Sequence, residues 1–228
     1  MAIIIYGCGN LCFVLCHRIF YFPENKYKII KMTTGDDSIN EDYPTIAEDL
    51  VVTKYKMAAE IVNKVLKEMI SECKPGCSIR ELCILGDKKL TEETGKAYKK
   101  LAKGVAFPTC ISVNNVICHY SPLLSEPDTS LADGDLIKID LGAHIDGFIA
   151  VVAHTFVLGA SAEAPVTGRK ADVIMAAHLA SEAAMRLVKP GNENTEVTET
   201  VNKIGEAFEC KPESMINARG CLLHGRQH

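Results

Sequence analysis

Apolar positions recur at helical spacing early in the chain. Leu50, Val51, Ala58, Ile61, Val62, Val65 and Met69 predict a long amphipathic helix that ends near Cys73, with Pro75-Gly76 as its stop. Thr45-Ile-Ala-Glu48 has the form of a capping box in front of it, and Ser78-Ile-Arg-Glu81 opens a shorter helix through Leu90. The pattern then changes period. Residues 105–119 (VAFPTCISVNNVICH) alternate around Asn114-Asn115, which predicts strand, turn, strand. Residues 120–134 are rich in Pro, Ser and Asp and form a surface loop. Asp135 to Val157 follows as two apolar runs around Asp146-Gly147, a turn dipeptide that marks a hairpin. Its second run is apolar at every position from Phe148 to Ala153, so both faces are covered. Residues 160–166 are another loop. Thr167 caps a helix striped by Val173, Ala177, Ala180, Ala184 and Leu187, and Lys189-Pro190-Gly191 ends it. A last helix starts at Asn194 or Thr195, with Val197, Val201, Ile204 and Phe208 inward. Helices, then strands, then helices predict an α+β domain whose antiparallel sheet is covered by helices.

Composition narrows the class without naming a function. The 228 residues are 47% hydrophobic and 24% charged, ordinary values for a globular chain, and a net charge of −4 gives no general pull toward nucleic acid or anionic membrane. The ten cysteines contain no CxxC pair, which excludes zinc-ribbon spacing, and they read as reduced, mostly buried small hydrophobes of an intracellular protein. Lys96, Lys99, Lys100 and Lys103 read as a solvated face. Ile3 to Phe22 is apolar but broken by His17 and Arg18, short of the roughly 20 apolar residues of a membrane span, and it lacks the basic region that precedes a signal peptide. Residues 1–32 are therefore expected to be an upstream extension outside the fold, with Met32 as the natural start. A weak membrane anchor and a packed N-terminal arm are the alternatives. Residues 33–44 are an acidic, disordered leader.

One residue in the hairpin demands an explanation. Asp140 is a carboxylate inside an apolar strand, where desolvation would neutralise it unless something pairs with it. Without a metal, the expected partners are strand N–H groups, a hydroxyl such as Thr155, or a buried water.

The segments VAFPTCISVNNVICHYSP, DGDLIKIDLGAHIDGFIAVVAHTF and VTGRKADVIMAAHLASEAAMRLVKPGN resemble the pita-bread fold of the methionine aminopeptidase/creatinase superfamily. More narrowly, they resemble its proliferation-associated (ErbB-receptor-binding) branch. The resemblance covers Thr45 to Pro212, so residues 45–212 are expected to be the N-terminal portion of that fold and 213–228 a tail outside the family pattern. It implies a truncated chain, with apolar surface and strand edges left open.

For the peptidases of the superfamily, the resemblance implies a dinuclear metal centre held by two Asp, one His and two Glu. The first Asp falls on Asp140. The second, eleven positions on, falls on Val151, which has no donor atom. With the turn at Ile145-Asp146, flanked by His144 and Gly147, Asp140 and Val151 are expected to sit opposite each other. The resemblance places His119 as the substrate-side histidine that contacts the scissile amide. His144, His154 and His178 read as core or surface histidines, Asp146 as a turn residue, and His224 and His228 as parts of an irregular tail.

The implied protein is thus not an enzyme. His119, Asp140 and Val151 are a vestigial site, with no catalytic, cofactor-binding or metal role and no small-molecule substrate. The branch implies RNA or ribonucleoprotein partners and regulatory proteins, growth-related and transcriptional control, and a cytoplasmic and nuclear or nucleolar location, with no membrane partner. A metal-dependent methionine aminopeptidase and a membrane-tethered variant are the alternatives.

Overall fold

The computed structural model describes residues 3–7, 11–15, 47–189 and 191–214, with side chains described from 47 to 212. Its elements run β1 (Ile3–Gly7), β2 (Leu11–Leu15), α1 (Asp49–Glu72), α2 (Ile79–Gly95), β3 (Lys103–Val113), β4 (Leu136–Ile145), β5 (Phe148–Val157), α3 (Gly168–Leu187), α4 (Asn194–Ala207) and β6 (Cys210–Ser214). This is the α+β architecture that the change of period implies.

The central sheet is antiparallel in the order β3-β4-β5. Asp146 and Gly147 both have positive φ, 55° and 81°, which a two-residue hairpin turn of matching twist requires. The turn fixes the register: Ile145 pairs with Phe148, Gly142 with Val151 and Asp140 with Ala153. The expected pairing of Asp140 with Val151 is therefore off by two residues. The turn is centred on Asp146-Gly147 rather than one residue earlier, and each single-residue shift of the centre moves the partner by two. Asp140 and Val151 still share a face, as diagonal neighbours.

Helices α1 and α2 cover the opposite side of this sheet. Val62, Val65 and Met69 of α1 and Leu90 of α2 join Ile111, Ile137, Ile139, Leu141 and Ile145 in one core. Leu50 was expected in the α1 stripe but is exposed. Helix α1 starts at Asp49, with Glu48 as its N-cap and no side-chain cap bond, and Thr45 of the expected first capping box lies outside the described residues. At the second, Ser78 caps α2 as expected, its Oγ accepting from Glu81 N at 3.0 Å. Helix α2 runs on to Gly95, because Leu90 and Thr94 are both buried. No second strand follows Asn114-Asn115; Tyr120 returns to β3 by accepting from the Ile111 amide at 2.8 Å and donating its own amide to Ser112 Oγ at 3.2 Å.

Two contacts set how closely helices and sheet approach. Lys54 of α1, nearly buried, places its ammonium 2.5 Å from Asp146 Oδ2 and 5.1 Å from the centre of the Phe148 ring, clamping the hairpin turn to the helix. Gly86 of α2 faces Thr109 of β3 so closely that an added Cβ would lie 2.4 Å from the threonine Oγ1. The adjacent Asp87 Oδ1 accepts from the Thr109 amide at 2.7 Å.

A second core joins α3, α4 and β6 through Val173, Ala176, Ala177, Ala180, Ala184, Val197, Val201 and Cys210. Strand β6 lies beside β1 in a sheet of order β2-β1-β6. Residues 1–32, expected outside the fold, thus contribute two strands, and the start of the 213–228 tail completes β6. The rest of the candidate N-terminal anchor and leader, and His224 and His228, lie outside the described residues. No helix among the described residues is long and apolar enough to cross a membrane.

The Gly86–Thr109 contact gives a stability test. Gly86→Ala gains about 1 kcal/mol of helix propensity but must push α2 off β3, an overpacking cost of about 1–3 kcal/mol. The expected net result is destabilisation by up to roughly 2 kcal/mol in urea unfolding, partly relieved by adding Thr109→Ala.

Candidate functional site

The side of the hairpin turned away from α1 and α2 gathers the chemistry. Cys110 of β3 pairs directly with Asp140 of β4, so their side chains leave the sheet on the same face. Gly142 lies two residues further along that face. A Cβ there would come within 2.9 Å of both Phe107 Cβ and Val151 Cγ1, so Phe107, Gly142 and Val151 border the same patch. His119 enters from the loop after β3. Its backbone takes φ 59°, an uncommon conformation for a residue with a side chain. The ring is held edge-on to Phe107, with centroids 4.9 Å apart.

That conformation delivers His119 Nδ1 to 2.7 Å from Asp140 Oδ2. The buried carboxylate therefore has an imidazole as a partner. The histidine is pushed up to about 12, first by its hydrogen bond to Asp140, then by contacts with Cys110 and Cys118; desolvation opposes the rise. The ring is thus a cation at neutral pH, and both its nitrogens are donors. Burial pushes the Cys110 thiol up, against the lowering effect of His119. Cys110 Sγ donates to the Pro108 carbonyl at 3.3 Å. Asp140 Oδ1 is buried with no hydrogen-bond partner. Among the described residues, Cys110, His119 and Asp140 form the one cluster of three or more metal-capable donors, with ligand atoms within 4.8 Å of one another.

The other histidines stand apart from this cluster. His144 Nδ1 accepts from the Gly147 amide at 3.3 Å, His154 stacks on Phe156, and His178 is exposed on α3. Asp146 is a turn residue as expected, but it is also the Lys54 partner, which spacing alone did not signal. Cys110 was read as a small buried hydrophobe. Buried it is, but its place opposite Asp140 depends on the β3–β4 register, which contains irregularities between Val105 and Cys110.

The His119–Asp140 contact has a pH signature. Folding raises the affinity of His119 for its proton, so the contact's stabilising contribution is complete below the ordinary imidazole range near pH 6.5. It is lost progressively as pH rises from there toward about 12. By proton NMR, His119 is expected to stay protonated through neutral pH in the native chain and to titrate near the ordinary range in Asp140→Asn. A native His119 resonance moving with a midpoint close to 6.5 would contradict the contact.

Residues 53–225 match the model of metallopeptidase family M24. The chain is 54% identical over 181 residues to ErbB-3 binding protein 1 of Solanum tuberosum, an alignment covering 78% of this chain and 46% of that protein. It is 47% identical over 201 residues to the Curved DNA-binding protein of Schizosaccharomyces pombe, covering 86% of this chain and 50% of the other. The solved structure of a thermophilic Arx1 superposes with a TM-score of 0.64 at 34% identity, over 72% of this chain and 50% of that one. The chain spans about half the length of the curated relatives it matches. It carries part of the pita-bread fold and belongs to metallopeptidase family M24, alongside the ErbB-3-binding and proliferation-associated proteins.

Proposed function

We propose that the protein is a non-catalytic binding member of this family, with RNA or ribonucleoprotein particles and regulatory proteins as its partners. The observation that carries the reading is Val151. It borders the face that holds Asp140, at the position where the resemblance puts the second acidic ligand of a dinuclear centre, and it is aliphatic. Two divalent ions about 3.5–4 Å apart need several carboxylates to offset their charge. Here one carboxylate has a valine as its diagonal neighbour, with a thiol and an imidazole beside it. The residues present do not fit the dinuclear hydrolytic centre, so no peptide-cleaving step is assigned to them, and His119 has no scissile amide to contact.

The relatives' names support a binding role in general, while the RNA partner rests on the family resemblance alone. One is a DNA-binding protein and another binds ErbB-3, which suits a surface used for recognition rather than turnover. The net charge of −4 means that any nucleic-acid contact must come from a local basic surface.

Two measurements on the 228-residue chain test the reading. Fluorescence anisotropy with structured and single-stranded RNA is expected to show saturable binding that weakens as salt rises. Methionyl peptides are expected to remain intact with cobalt or manganese present. Chelator-sensitive cleavage would overturn the non-catalytic half, and failure to bind any RNA would overturn the nucleic-acid half.

A further inference from the structure

We infer that Cys110, His119 and Asp140 form a mononuclear site for a borderline divalent transition ion of the zinc class, distinct in donors and stoichiometry from a dinuclear carboxylate centre. Three independent features point there. First, the β3–β4 register sets Cys110 directly opposite Asp140, so sulfur and carboxylate converge from two strands whose positions the sheet fixes. Second, Asp140 is only 6% exposed, and although its Oδ2 meets His119, its Oδ1 is buried with no hydrogen-bond partner, a free acceptor oxygen that a metal ion can take up. Third, His119 holds an unfavourable backbone conformation that brings its ring to both groups.

Charge and geometry agree with a single ion. Thiolate, carboxylate and neutral imidazole together carry two negative charges, which one divalent ion cancels; a second ion would leave net positive charge in a buried setting. Metal–ligand distances of about 2.0–2.3 Å put tetrahedral donors roughly 3.3–3.8 Å apart. The three donor atoms already lie within 4.8 Å of one another. The 2.7 Å His119–Asp140 contact must open by about 1 Å, and the histidine, on a loop with its side chain 37% exposed, is the member free to swing. A fourth position is left for water. Sulfur and imidazole select zinc-like ions over magnesium or calcium.

The same three residue types could be taken for a cysteine nucleophile with its base and orienting acid. Cys110 is 2% exposed and gives its S–H to the Pro108 carbonyl, so no substrate carbonyl reaches it and burial keeps it a thiol. A metal overcomes that preference by replacing two protons, one from the Cys110 thiol and one from the His119 imidazolium, so that thiolate and neutral imidazole are the ligating forms and uptake weakens as pH falls.

Cobalt(II) is the probe. The chelator-treated, reduced 228-residue chain should take up one equivalent and show a thiolate-to-cobalt charge-transfer band with tetrahedral visible bands. Zinc should abolish the signal, and a large excess of magnesium should not. Cys110→Ser and His119→Ala should remove the band and weaken zinc binding by on the order of 100-fold, while Cys83→Ser and Cys118→Ser keep it. His119→Ala changes a half-exposed loop side chain, so it decides the matter if Cys110→Ser fails to fold. No stoichiometric uptake, or a band that survives Cys110→Ser or disappears with Cys118→Ser, would overturn the site. Metal uptake is read without peptidase or RNA assays, so this inference and the proposed function can fail separately.

Discussion

A carboxylate set into the middle strand of an apolar sheet has to be compensated, and the organisation of this molecule around β4 follows from that requirement. Asp140 sits where β3 and β5 exclude water on either side, one strand position from core residues Ile139 and Leu141. Charge of the opposite sign must come from outside the sheet. It arrives on His119, carried by a loop whose backbone adopts a conformation seldom taken by a residue with a side chain. The hairpin turn, the register and the loop therefore share one purpose. Helices α1 and α2 fill the other face with aliphatic side chains, which frees the Asp140 face for polar chemistry.

The same logic applies where the hairpin ends. Asp146 lies in a turn that local sequence already dictates, yet it also receives Lys54 from α1. Buried cations in this fold reach specific oxygens: Lys54 a carboxylate, and Lys138 the Asn114 carbonyl at 2.7 Å. Asn114 in turn accepts from the Leu136 amide and donates to Asp135, tying the end of β3 to the start of β4. These links join segments far apart in sequence, and each satisfies a polar group that would otherwise be costly to bury.

What could be read from the chain was local. Helix periodicity in α1, α3 and α4, the Ser78 cap and the Asp146-Gly147 turn all follow from spacings of a few residues. What could not be read depended on pairing. The turn centre was placed one residue early, and that was enough to match Asp140 with Val151 rather than Ala153. The β1-β2-β6 sheet joins strands some 200 residues apart, a separation over which no periodicity operates. His119 was singled out by resemblance, but its hydrogen bond to Asp140 depends on a positive φ that no spacing rule predicts for histidine. Cys110 was invisible for the opposite reason: a lone cysteine in a strand reads as a small apolar residue until its neighbour across the ladder is known.

The division of the interior into two clusters carries a dynamic consequence. The sheet core is built mainly from Leu, Ile, Val and Met with a minority of alanines, whereas half of the buried α3–α4 core is alanine, with three valines and a cysteine. Alanine buries little apolar area per residue, so the second cluster gains less from excluding water. The α3–α4 cluster is therefore expected to open at a lower free energy than the sheet core, its amide protons exchanging ahead of those of β4.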